Sequence, residues 1–574
     1  MDHSPKQSQS LYQSSQPWIL LGLLWLAIFT IRLAAPSNLM NGDQESPSAY
    51  VLDVVKNGNW LCQHDLDGDI TSKPPLWTWL SAALTLAWGR INLFTLYLPG
   101  AAAAFGVMAL VFIWGRKIFN VRAALFAAIA LVLSSAGSKW MGLARTDGVF
   151  AFMTAATAFL AWRAWNRGGG WTWFWLLAAV ATLTKGPLGV VLGASGLLAC
   201  WWERRSGERL PLKGWHWPGI VLFLAIVVGW FWLAYSQEGQ PLIDKMLGKE
   251  LVGHITSRNS HFPGSLIWQP PVFFLGTAAP WSFVSCLGFW RIWKHPAQNS
   301  PERRLERFLF CWFMTGLVIF SIAPHQRADL IWPILAPSAL IAGRELAWFA
   351  SRFKAAHVRS ATLGVLVIGL AGIQYHYVNM RGSELRNIKT GEVKVLAAQL
   401  ERVAGMEFPI THVDSPMTFQ TYLNTLRPRI SADRAVELLR GREAAFVAVQ
   451  DIATLKAVTQ SNEPPMFTLL PVAGDLTNCP VRIVSNRSDF KVTDDFALCF
   501  GTIYVRVHGA KLLLASNREF RFAAKDENAA VIVKNESDEP RKIRVSFATD
   551  GAGAAQERLL ASHEIWNVPL MRKH

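Results

Sequence analysis

The sequence NLFTLYLPGAAAAFGVMALVFIWG, at residues 92–115, runs for 24 positions without a charged side chain. A helix of ~20 predominantly apolar residues is long enough to cross the hydrocarbon core of a bilayer. Arg116 and Lys117 follow the stretch directly, and basic residues are typical of the cytoplasmic ends of such helices. The stretch therefore predicts a transmembrane helix, and so a membrane protein rather than a soluble one.

Apolar runs of the same kind recur on both sides of this helix. The 574 residues are 51% hydrophobic and only 17% charged, whereas soluble proteins average about 25% charged residues. This composition excludes a disordered chain and argues against a soluble enzyme of several domains. It favours an all-α polytopic bundle of about 11–13 transmembrane helices. The predicted spanning segments are roughly 17–35, 92–115, 121–138, 148–164, 171–184, 186–203, 218–236, 267–290, 306–323, 328–348 and 359–378.

Two segments of this region are not expected to span. Residues 75–89, PLWTWLSAALTLAWG, are short for a crossing, and we predict an interfacial or re-entrant segment there. Residues 1–16 are polar and are followed by an apolar stretch without a cleavage-site pattern. We therefore expect a cytoplasmic leader ahead of a retained first helix, and a transmembrane domain over residues 17–380.

The basic residues support one orientation in the membrane. A net charge of +16 is also found in nucleic-acid-binding proteins, but here the Lys and Arg residues lie in short loops between apolar segments. With the N-terminus inside, the inside loops are rich in basic residues and the outside loops carry more acids. An odd number of spans then places the chain after about residue 380 outside. We therefore predict a multi-pass membrane protein with an exported C-terminal part.

The C-terminal part is predicted to be soluble and to have two domains. Residues 381–490 alternate short apolar runs with helix-like stretches, which is typical of an α/β domain. Residues 491–574 contain strand-like runs such as GTIYVRVHG, separated by turns, which indicates a β-rich domain of the sandwich type. Cys479 and Cys499 both fall in this exported part, so a disulfide and two free thiols remain alternatives.

The first outer loop, at about 36–75, carries candidate catalytic acids. Asp43 and Glu45 follow the first span within the sequence NGDQES. A carboxylate there can act as a general base on an acceptor hydroxyl, and a helix cap or a solvated acid is the alternative. Lys73, within TSKPPL, can hold a phosphate as a point charge, with ordinary snorkelling as the alternative.

Three further outer turns offer cations. The ARTDG turn places Arg145 beside Asp147, either as a clamp for a phosphate and a sugar hydroxyl or as a helix cap. The LTKGPLG turn carries Lys185 where the positive-inside rule disfavours a lysine. Arg327, in the turn APHQRADLIWP, is suited to bidentate contact with a phosphate. If these turns converge with Lys73, they form an anion pocket at the outer surface with the catalytic acids Asp43 and Asp147 beside it.

The outer loop 236–267 contains a weaker candidate site. Glu250 and His254 are four residues apart, so they share one face if the segment is helical. Half of a site for a divalent metal and an ordinary surface pair are both compatible with this spacing. His254 is also a candidate for contact with the substrate.

In this order the motifs resemble those of a known group of membrane enzymes. D-Q-E after the first span, S-K-P-P-L, A-R-T-D, L-T-K-G-P, E-L-V-G-H and a P-x-L-x-P helix after Arg327 follow one another as in the C-type integral-membrane glycosyltransferases. That superfamily includes the bacterial aminoarabinose (lipid A) transferases and the protein O-mannosyltransferases. The resemblance covers about residues 15–380 and implies the C-type fold, with a sugar passed from a polyprenyl (undecaprenyl) phosphate donor with inversion.

The resemblance also implies roles for individual residues. Asp43 matches the loop-one aspartate assigned to catalysis, and Asp147 matches the second outer-face acid. Lys73 matches the lysine near the donor phosphate, while Lys185 and Arg327 match cations that line the lipid-phosphate cavity.

Two departures from the pattern matter. Ser72 stands where the aminoarabinose transferases usually carry a glutamate that can join a histidine in binding a metal, so the resemblance leaves metal dependence open. Gln44 separates the two acids of the first loop, so Asp43 acts either with Glu45 or alone.

The predicted function is therefore transfer of a sugar from a polyprenyl phosphate to lipid A, lipopolysaccharide or another envelope acceptor at the outer face of the inner membrane. The sequence has no Rossmann fingerprint and no P-loop, which agrees with a donor other than a nucleotide sugar. Charges at outer helix ends, rather than deep within helices, argue against a transporter or flippase of lipid-linked saccharides. Protein O-glycosyl transfer and a non-catalytic scaffold stay open as alternatives, and no nucleic-acid partner is expected.

Overall fold

The computed structural model describes most of the chain up to residue 380 and separate segments beyond it. The described residues are 15–37, 39–40, 42–205, 212–246, 248, 266–323, 326–380, 393–394, 396–398, 400–401, 410–427, 429–441, 443, 445–451, 453–454, 457–458, 467–471, 481–486, 496–500, 503–515, 519–524, 528–535, 537–548 and 555–569. They form two compact units. The first unit comprises Met1–Ser37, Asp53–Asp65 and Asp69–Ser383, and the second comprises Asn38–Leu52, Leu66–Gly68 and Glu384–His574.

Helices dominate the chain up to residue 380. In the described part of the chain, the first ten are α1 Gln16–Ala34, α2 Gly42–Asn57, α3 Leu76–Trp88, α4 Leu93–Ile118, α5 Val121–Leu133, α6 Ser135–Trp140, α7 Asp147–Arg167, α8 Trp171–Lys185, α9 Leu188–Ala194 and α10 Ala199–Arg205. Those that follow are α11 Trp217–Glu238, α12 Gln240–Ile243, α13 Gln269–Thr277, α14 Trp281–Lys294, α15 Ser300–Ile322, α16 Leu335–Ala350 and α17 Ala355–Gln374. Short 3₁₀ segments lie at Ser195–Leu198 and Ala328–Ile334, and Tyr375–Met380 is a π-helical extension of α17.

Among the described residues, six helices are long and apolar enough to cross a membrane. They are α1, α4, α11, α15, the segment Ala328–Ala350 that ends in α16, and the segment Ala355–Met380 that begins with α17. The pair α13 and α14 gives a seventh candidate if it is one broken span. The chain is therefore a multi-pass membrane protein, although fewer helices meet this criterion than the eleven spans predicted from the sequence.

Two predicted spans are broken rather than straight. The segment 267–290 forms α13 and α14, which are bent by 119°, and Pro280 lies in the break and has no N–H to continue a helix. The segment 186–203 forms α9, a 3₁₀ turn and α10 instead of one helix. Near the start of the chain, α3 has only 13 residues, about 20 Å of helix at 1.5 Å per residue, which is short for a crossing.

Small residues bring the helices of the first unit close together. A Cβ on Gly343 of α16 would lie 2.6 Å from Cβ of Ala127 on α5, so only glycine allows this approach of the two helices. Such close contacts are how apolar helices associate where lipid is as apolar as the side chains.

Basic residues from the predicted cytoplasmic loops are paired with buried acids. Arg307 Nη1 lies 2.7 Å from Oε1 of Glu203, whose side chain is fully buried. Arg291 Nη1 lies 2.5 Å from Oε2 of Glu345. Charges buried in a protein require partners of this kind.

Strands dominate the second unit. The described strands are β1 Ile410–His412, β2 Phe446–Val449, β3 Phe467–Pro471, β4 Arg482–Ser485, β5 Phe496–Phe500, β6 Ile503–His508, β7 Ala510–Ala515, β8 Glu519–Ala524, β9 Ala530–Asn535, β10 Arg541–Ala548, β11 Ala555–Leu560 and β12 Ile565–Pro569. The helices α18 Met417–Leu423 and α19 Ala432–Arg440 lie between β1 and β2. One sheet has the order β1-β2-β4-β3-β5-β6-β9-β12, and the other has the order β11-β10-β8-β7.

Both sheets of the second unit share a hydrophobic core. Val505 and Val531 of the larger sheet belong to the same buried cluster as Phe522 and Val545 of the smaller one. Two sheets facing one core form a sandwich, as predicted for the end of the chain. The larger sheet also continues across residue 490, because β3 pairs with β5. Cys479 lies outside the described residues, so its disulfide with Cys499 stays a prediction.

His412 is a buried titratable group in this unit. His412 is the last residue of β1, and its side chain is fully buried. Its Nδ1 lies 2.7 Å from Oγ of Ser415. Burial, reinforced by the positive charges of Arg427 and Arg429, lowers the pKa of His412 to about 3. The folded unit therefore holds this imidazole neutral at a pH where an exposed histidine is protonated.

We expect the second unit to lose stability as the pH falls through the region below about 6.5. The stabilisation is complete above that pH and is lost towards pH 3, because the unfolded chain binds a proton that the folded His412 excludes. At about 1.4 kcal/mol per pH unit, the loss between pH 6.5 and pH 5 is about 2 kcal/mol. Pulse proteolysis of the full-length protein in detergent measures it. His412→Gln should make the stability of the second unit depend less on pH. His508→Gln changes an exposed residue of β6 and should leave the pH dependence of stability unchanged. Equal pH dependence of stability in the two variants would contradict its assignment to His412.

Candidate functional site

Asp329 is the centre of a group of cations in the first unit. It lies in the 3₁₀ turn Ala328–Ile334, and Lys139 Nζ is 2.7 Å from its Oδ1. Arg145 Nη1 is 2.7 Å from Oδ2 of the same carboxylate, and Arg327 Nη2 is 4.0 Å from it. One carboxylate thus lies close to three cations, two from residues 139–145 and one from its own turn.

Asp147 forms a second charged pair beside the first. It is the first residue of α7, and it accepts a hydrogen bond from Nζ of Lys185, the last residue of α8. Lys73 and Arg145 also lie close enough to act on the Asp147 carboxylate electrostatically. Both positions suit their helices, since an acid is favourable at a helix N-terminus and a base at a C-terminus.

Together these side chains form what we call the cationic cluster, defined as Lys73, Lys139, Arg145, Lys185 and Arg327 with Asp147 and Asp329. Among the described residues, the cluster as defined holds five cations and two carboxylates. Its side chains range from largely buried, as for Arg145 at 9% exposed, to partly open, as for Arg327 at 39%. A partly buried excess of Lys and Arg donors is suited to binding an anion such as a phosphate.

The sequence predicted four of these cations, Lys73, Arg145, Lys185 and Arg327, and the structure brings all four into the cluster. Lys139 was missed, because α6 was not separated from the apolar run before it. The sequence did contain a signal, because serine is favoured at the N-cap of a helix. In the structure, Ser134 begins a new helix and accepts a hydrogen bond from the backbone N–H of Gly137. Lys139 is then carried towards Asp329 by that short helix.

Residues in α1 and just after it hold the turn that carries Arg145 in place. Arg32 is 1% exposed, and it donates through Nη2 to the carbonyl of Gly142 at 3.0 Å. Ser37 Oγ donates to the same carbonyl at 2.6 Å, and the Arg32 guanidinium stacks 3.7 Å from the ring centre of Tyr377. These contacts fix the backbone three residues before Arg145.

We expect Gly142→Ala to weaken both folding and activity. A Cβ at Gly142 would overlap the Arg32 guanidinium, with Nη2 at 2.6 Å, and overpacking of this kind costs about 1–3 kcal/mol. Displacement of the turn moves Arg145, so we also expect at least about a tenfold loss of turnover. Thermal unfolding in detergent and a transfer assay measure the two effects. Gly22→Ala in α1, where nothing lies within 4 Å of the added carbon, is the control and should leave both unchanged.

The two acids of the predicted first outer loop belong to the second unit. Asp43 and Glu45 lie in the first turn of α2. Oε1 of Glu45 accepts hydrogen bonds from N and Oγ1 of Thr418, at 2.9 and 3.0 Å. Burial raises the pKa of Glu45 above its usual range, and the hydrogen bonds from Thr418 partly oppose this. The geometry thus favours a structural contact for Glu45 over the catalytic role predicted from the sequence.

Hydrogen bonds to Asp53 hold part of the predicted first outer loop in place within the first unit. Asp53 is buried and accepts hydrogen bonds from the side chains of Asn57 and Asn59 and from the backbone N–H of His64. His64 Nε2 lies 3.2 Å from Oε2 of Glu238, at the end of α11. This contact was not predicted, since no motif links residues so far apart in the sequence.

The predicted metal half-site cannot be placed in the fold: Glu250 and His254 lie outside the described residues. Within the part of the chain that is described, no three His, Cys, Asp or Glu side chains are grouped so that they could hold a metal ion.

Known proteins resemble this chain in sequence. Residues 72–232 match the family model for dolichyl-phosphate-mannose-protein mannosyltransferase. The undecaprenyl phosphate-alpha-4-amino-4-deoxy-L-arabinose arabinosyl transferase 2 of Proteus mirabilis (strain HI4320) is 21% identical over 371 residues, which cover 62% of this chain and 64% of the relative. The corresponding transferase 1 of Sodalis glossinidius (strain morsitans) is 24% identical over 351 residues, which cover 56% of this chain and 60% of that protein. The chain thus spans less than two thirds of the length of these relatives.

A solved structure shows the same fold. The crystal structure of ArnT from Cupriavidus metallidurans bound to undecaprenyl phosphate matches with a TM-score of 0.63 and 17% identity, over 83% of this chain and 99% of that one. The apo state of the same protein matches with a TM-score of 0.60. The C-type fold predicted from the sequence is therefore confirmed. In sequence and in fold, this chain resembles the membrane glycosyltransferases of the aminoarabinose transferase and protein O-mannosyltransferase group.

Proposed function

We propose that the protein is a glycosyltransferase that moves a sugar from a polyprenyl phosphate to an acceptor in the bacterial envelope. The observation that carries the proposal is the cationic cluster, a partly buried group of five Lys and Arg side chains with two carboxylates in a multi-pass membrane protein. A phosphate attached to a lipid reaches such a site from the membrane itself. Undecaprenyl phosphate, named for the curated relatives and for the solved ArnT complex, is the donor lipid that we infer.

The proposed reaction requires the protein to stabilise the leaving phosphate and to remove a proton from the acceptor. The bond between the sugar C1 and the phosphate oxygen breaks, and its electron pair stays on the phosphate as added negative charge. Preorganised cations stabilise that charge more strongly than water does, and we assign this task to Arg145, Lys185 and Lys73. The acceptor oxygen forms the new bond to C1 from the opposite face, so the anomeric configuration inverts.

The acceptor must also lose a proton. We propose Asp43 as the general base that takes it, because Asp43 matches the loop-one aspartate of the resembling enzymes and lies in the first turn of α2. General-base catalysis of this kind contributes about 10²–10⁴-fold to a rate.

Asp147 and Asp329 have a different role in this proposal. Each carboxylate is held by cations, Asp147 by Lys185 and Asp329 by Lys139 and Arg145. The oxygens of a carboxylate in such a pair are engaged by the cations that surround it. We therefore infer that both acids orient the cations and neutralise part of the positive charge of the cluster.

Lipid A or another lipopolysaccharide component is the acceptor that we favour, with a periplasmic reaction site and a periplasmic C-terminal part. The curated relatives named for aminoarabinose transfer support this choice, and the positive-inside charge pattern supports the orientation.

The experiment that tests the proposal has two parts. Mass spectrometry of lipid extracts compares wild type, a deletion strain and the complemented deletion. We expect the deletion to lose a sugar from a glycolipid, and the mass difference names the sugar. The purified full-length protein in detergent is then given a polyprenyl-phosphate sugar and the glycolipid acceptor, and we expect the glycosylated acceptor as product.

The second part separates an enzyme from a transporter. Detergent micelles have no two membrane faces, so a flippase of lipid-linked saccharides gives no product there. Loss of the sugar in the deletion strain, together with no transfer in detergent, would reject the enzyme in favour of transport. A sugar lost from envelope proteins instead of lipids would replace the lipid acceptor with a protein.

A further inference from the structure

The first outer loop and the C-terminal residues of the chain pack together as one unit. Asn38–Leu52 and Leu66–Gly68 belong to the same compact body as Glu384–His574. Met40 packs against the hydrophobic core of that body. Arg429 Nη1 lies 2.6 Å from Oδ1 of Asp67. The loop is therefore attached at more than one point, by apolar and by charged contacts.

The contact of Glu45 is the most specific of these attachments. Its Oε1 accepts from the backbone N–H of Thr418 at 2.9 Å and from the Thr418 hydroxyl at 3.0 Å. Thr418 is the second residue of α18, and N–H groups in the first turn of a helix have no partner within the helix. A carboxylate that accepts from such a group is also favoured by the helix dipole. Residue 45 thus completes a helix that lies 373 residues further along the chain.

We propose that Glu45 is a positioning residue, which holds the first turn of α2 against Thr418 and so sets the place of Asp43. Asp43 and Glu45 share that first turn, so a turn held at Glu45 leaves Asp43 little freedom to swing. The inference rests on the proposed function, in which Asp43 is the base. In this inference the helix α18 of the C-terminal part contributes to the activity of the transferase.

A direct catalytic role for Glu45 is the competing explanation. Burial raises the pKa of Glu45, and a raised pKa suits a general base. The two roles differ in what they require of the side chain. A base needs a carboxylate, whereas the contact with Thr418 needs only an oxygen acceptor at Oε1, which a glutamine also supplies.

The test measures turnover and KM for the donor in the full-length protein with Glu45→Gln, Glu45→Ala and Thr418→Val. We expect Glu45→Gln to keep most of the wild-type turnover. Glu45→Ala should lower kcat by about 10- to 100-fold, as misplacement of a reacting group does, with KM for the donor nearly unchanged. Thr418→Val removes one of the two hydrogen bonds and should fall between them. Glu437→Ala, which removes an exposed partner of Arg434, is the matched control and should behave as wild type.

Two further readouts concern the contact itself. The double variant Glu45→Ala with Thr418→Val should be no worse than Glu45→Ala alone, because residues that act through one contact are not additive. Hydrogen exchange at the Thr418 amide should be faster in Glu45→Ala than in wild type, and near wild type in Glu45→Gln.

The outcomes distinguish this inference from the proposed function. Activity lost equally in Glu45→Gln and Glu45→Ala, with Thr418→Val at the wild-type level, would overturn positioning and establish acid–base chemistry at Glu45. Unchanged exchange at Thr418 in Glu45→Ala would overturn the contact. A wild-type protein that transfers no sugar while Thr418 exchange responds to Glu45 would overturn the proposed function and leave only the anchoring of the loop.

Discussion

Asp43→Asn is expected to reduce sugar transfer by about 10²–10⁴-fold, the contribution of a general base. Asparagine has nearly the shape of aspartate but does not take the acceptor's proton. The side chain is half-buried in the first turn of α2, so folding should change little. A steady-state transfer assay of the purified protein, with kcat and KM for the donor measured separately, checks the loss. We expect the loss in kcat, because in the proposed mechanism the cationic cluster, and not Asp43, binds the donor phosphate.

Two comparisons make this result decisive. Asp433→Asn changes an exposed acid in the first turn of another helix, α19, and should leave transfer unchanged. Asp43→Glu keeps the carboxylate but lengthens the arm, and should recover part of the activity. Transfer at the wild-type level in Asp43→Asn would reject Asp43 as the base.

Asp329→Asn is expected to cause the largest loss of stability among the predicted variants, about 3 kcal/mol. Asp329 is paired with Lys139 and Arg145, and the side chain of Arg145 is only 9% exposed. Removal of the carboxylate charge takes away the group that lies 2.7 Å from that buried guanidinium, and loss of one partner of a buried pair costs more than the pair contributes when intact. Thermal unfolding in detergent, followed by tryptophan fluorescence, measures the change.

The matched control for Asp329 is another acid that pairs with a lysine. Asp69 lies 3.0 Å from Lys245 but is 67% exposed, and exposed pairs contribute only about 0–1 kcal/mol. Asp69→Asn should therefore be nearly neutral. If Asp329→Asn were equally mild, Asp329 would not hold the cluster together. Activity should also fall in Asp329→Asn, since Arg145 loses the group that orients it.

The two variants separate chemistry from scaffolding. Asp43→Asn should lower turnover without lowering stability, whereas Asp329→Asn should lower both. A loss of stability in Asp43→Asn, with transfer unchanged after correction for unfolded protein, would assign Asp43 to the fold of α2 instead of the reaction.

Much of this protein could be predicted from local sequence. Transmembrane character follows from apolar runs such as residues 92–115, because the cost of a charge in a bilayer acts on each segment separately. The positions of Lys73, Arg145, Lys185 and Arg327 were found in the same way, as cations at the ends of apolar segments. The sandwich at the end of the chain was visible in the alternation of its strands.

The partners of these residues were decided by tertiary structure. Lys139 and Arg145 meet Asp329 across 190 and 184 residues of sequence, and Glu45 meets Thr418 across 373. Such pairs depend on how distant helices and strands pack, and no local pattern of charge or hydropathy encodes that packing. The break of residues 267–290 into two helices bent by 119° was also missed, since composition alone does not distinguish a straight span from a broken one. Sequence by itself therefore determined that this is a membrane protein with acids and cations at the turns between its apolar segments. Only the tertiary structure decided which acid holds which cation, because an ion pair depends on distance in space and not on separation along the chain.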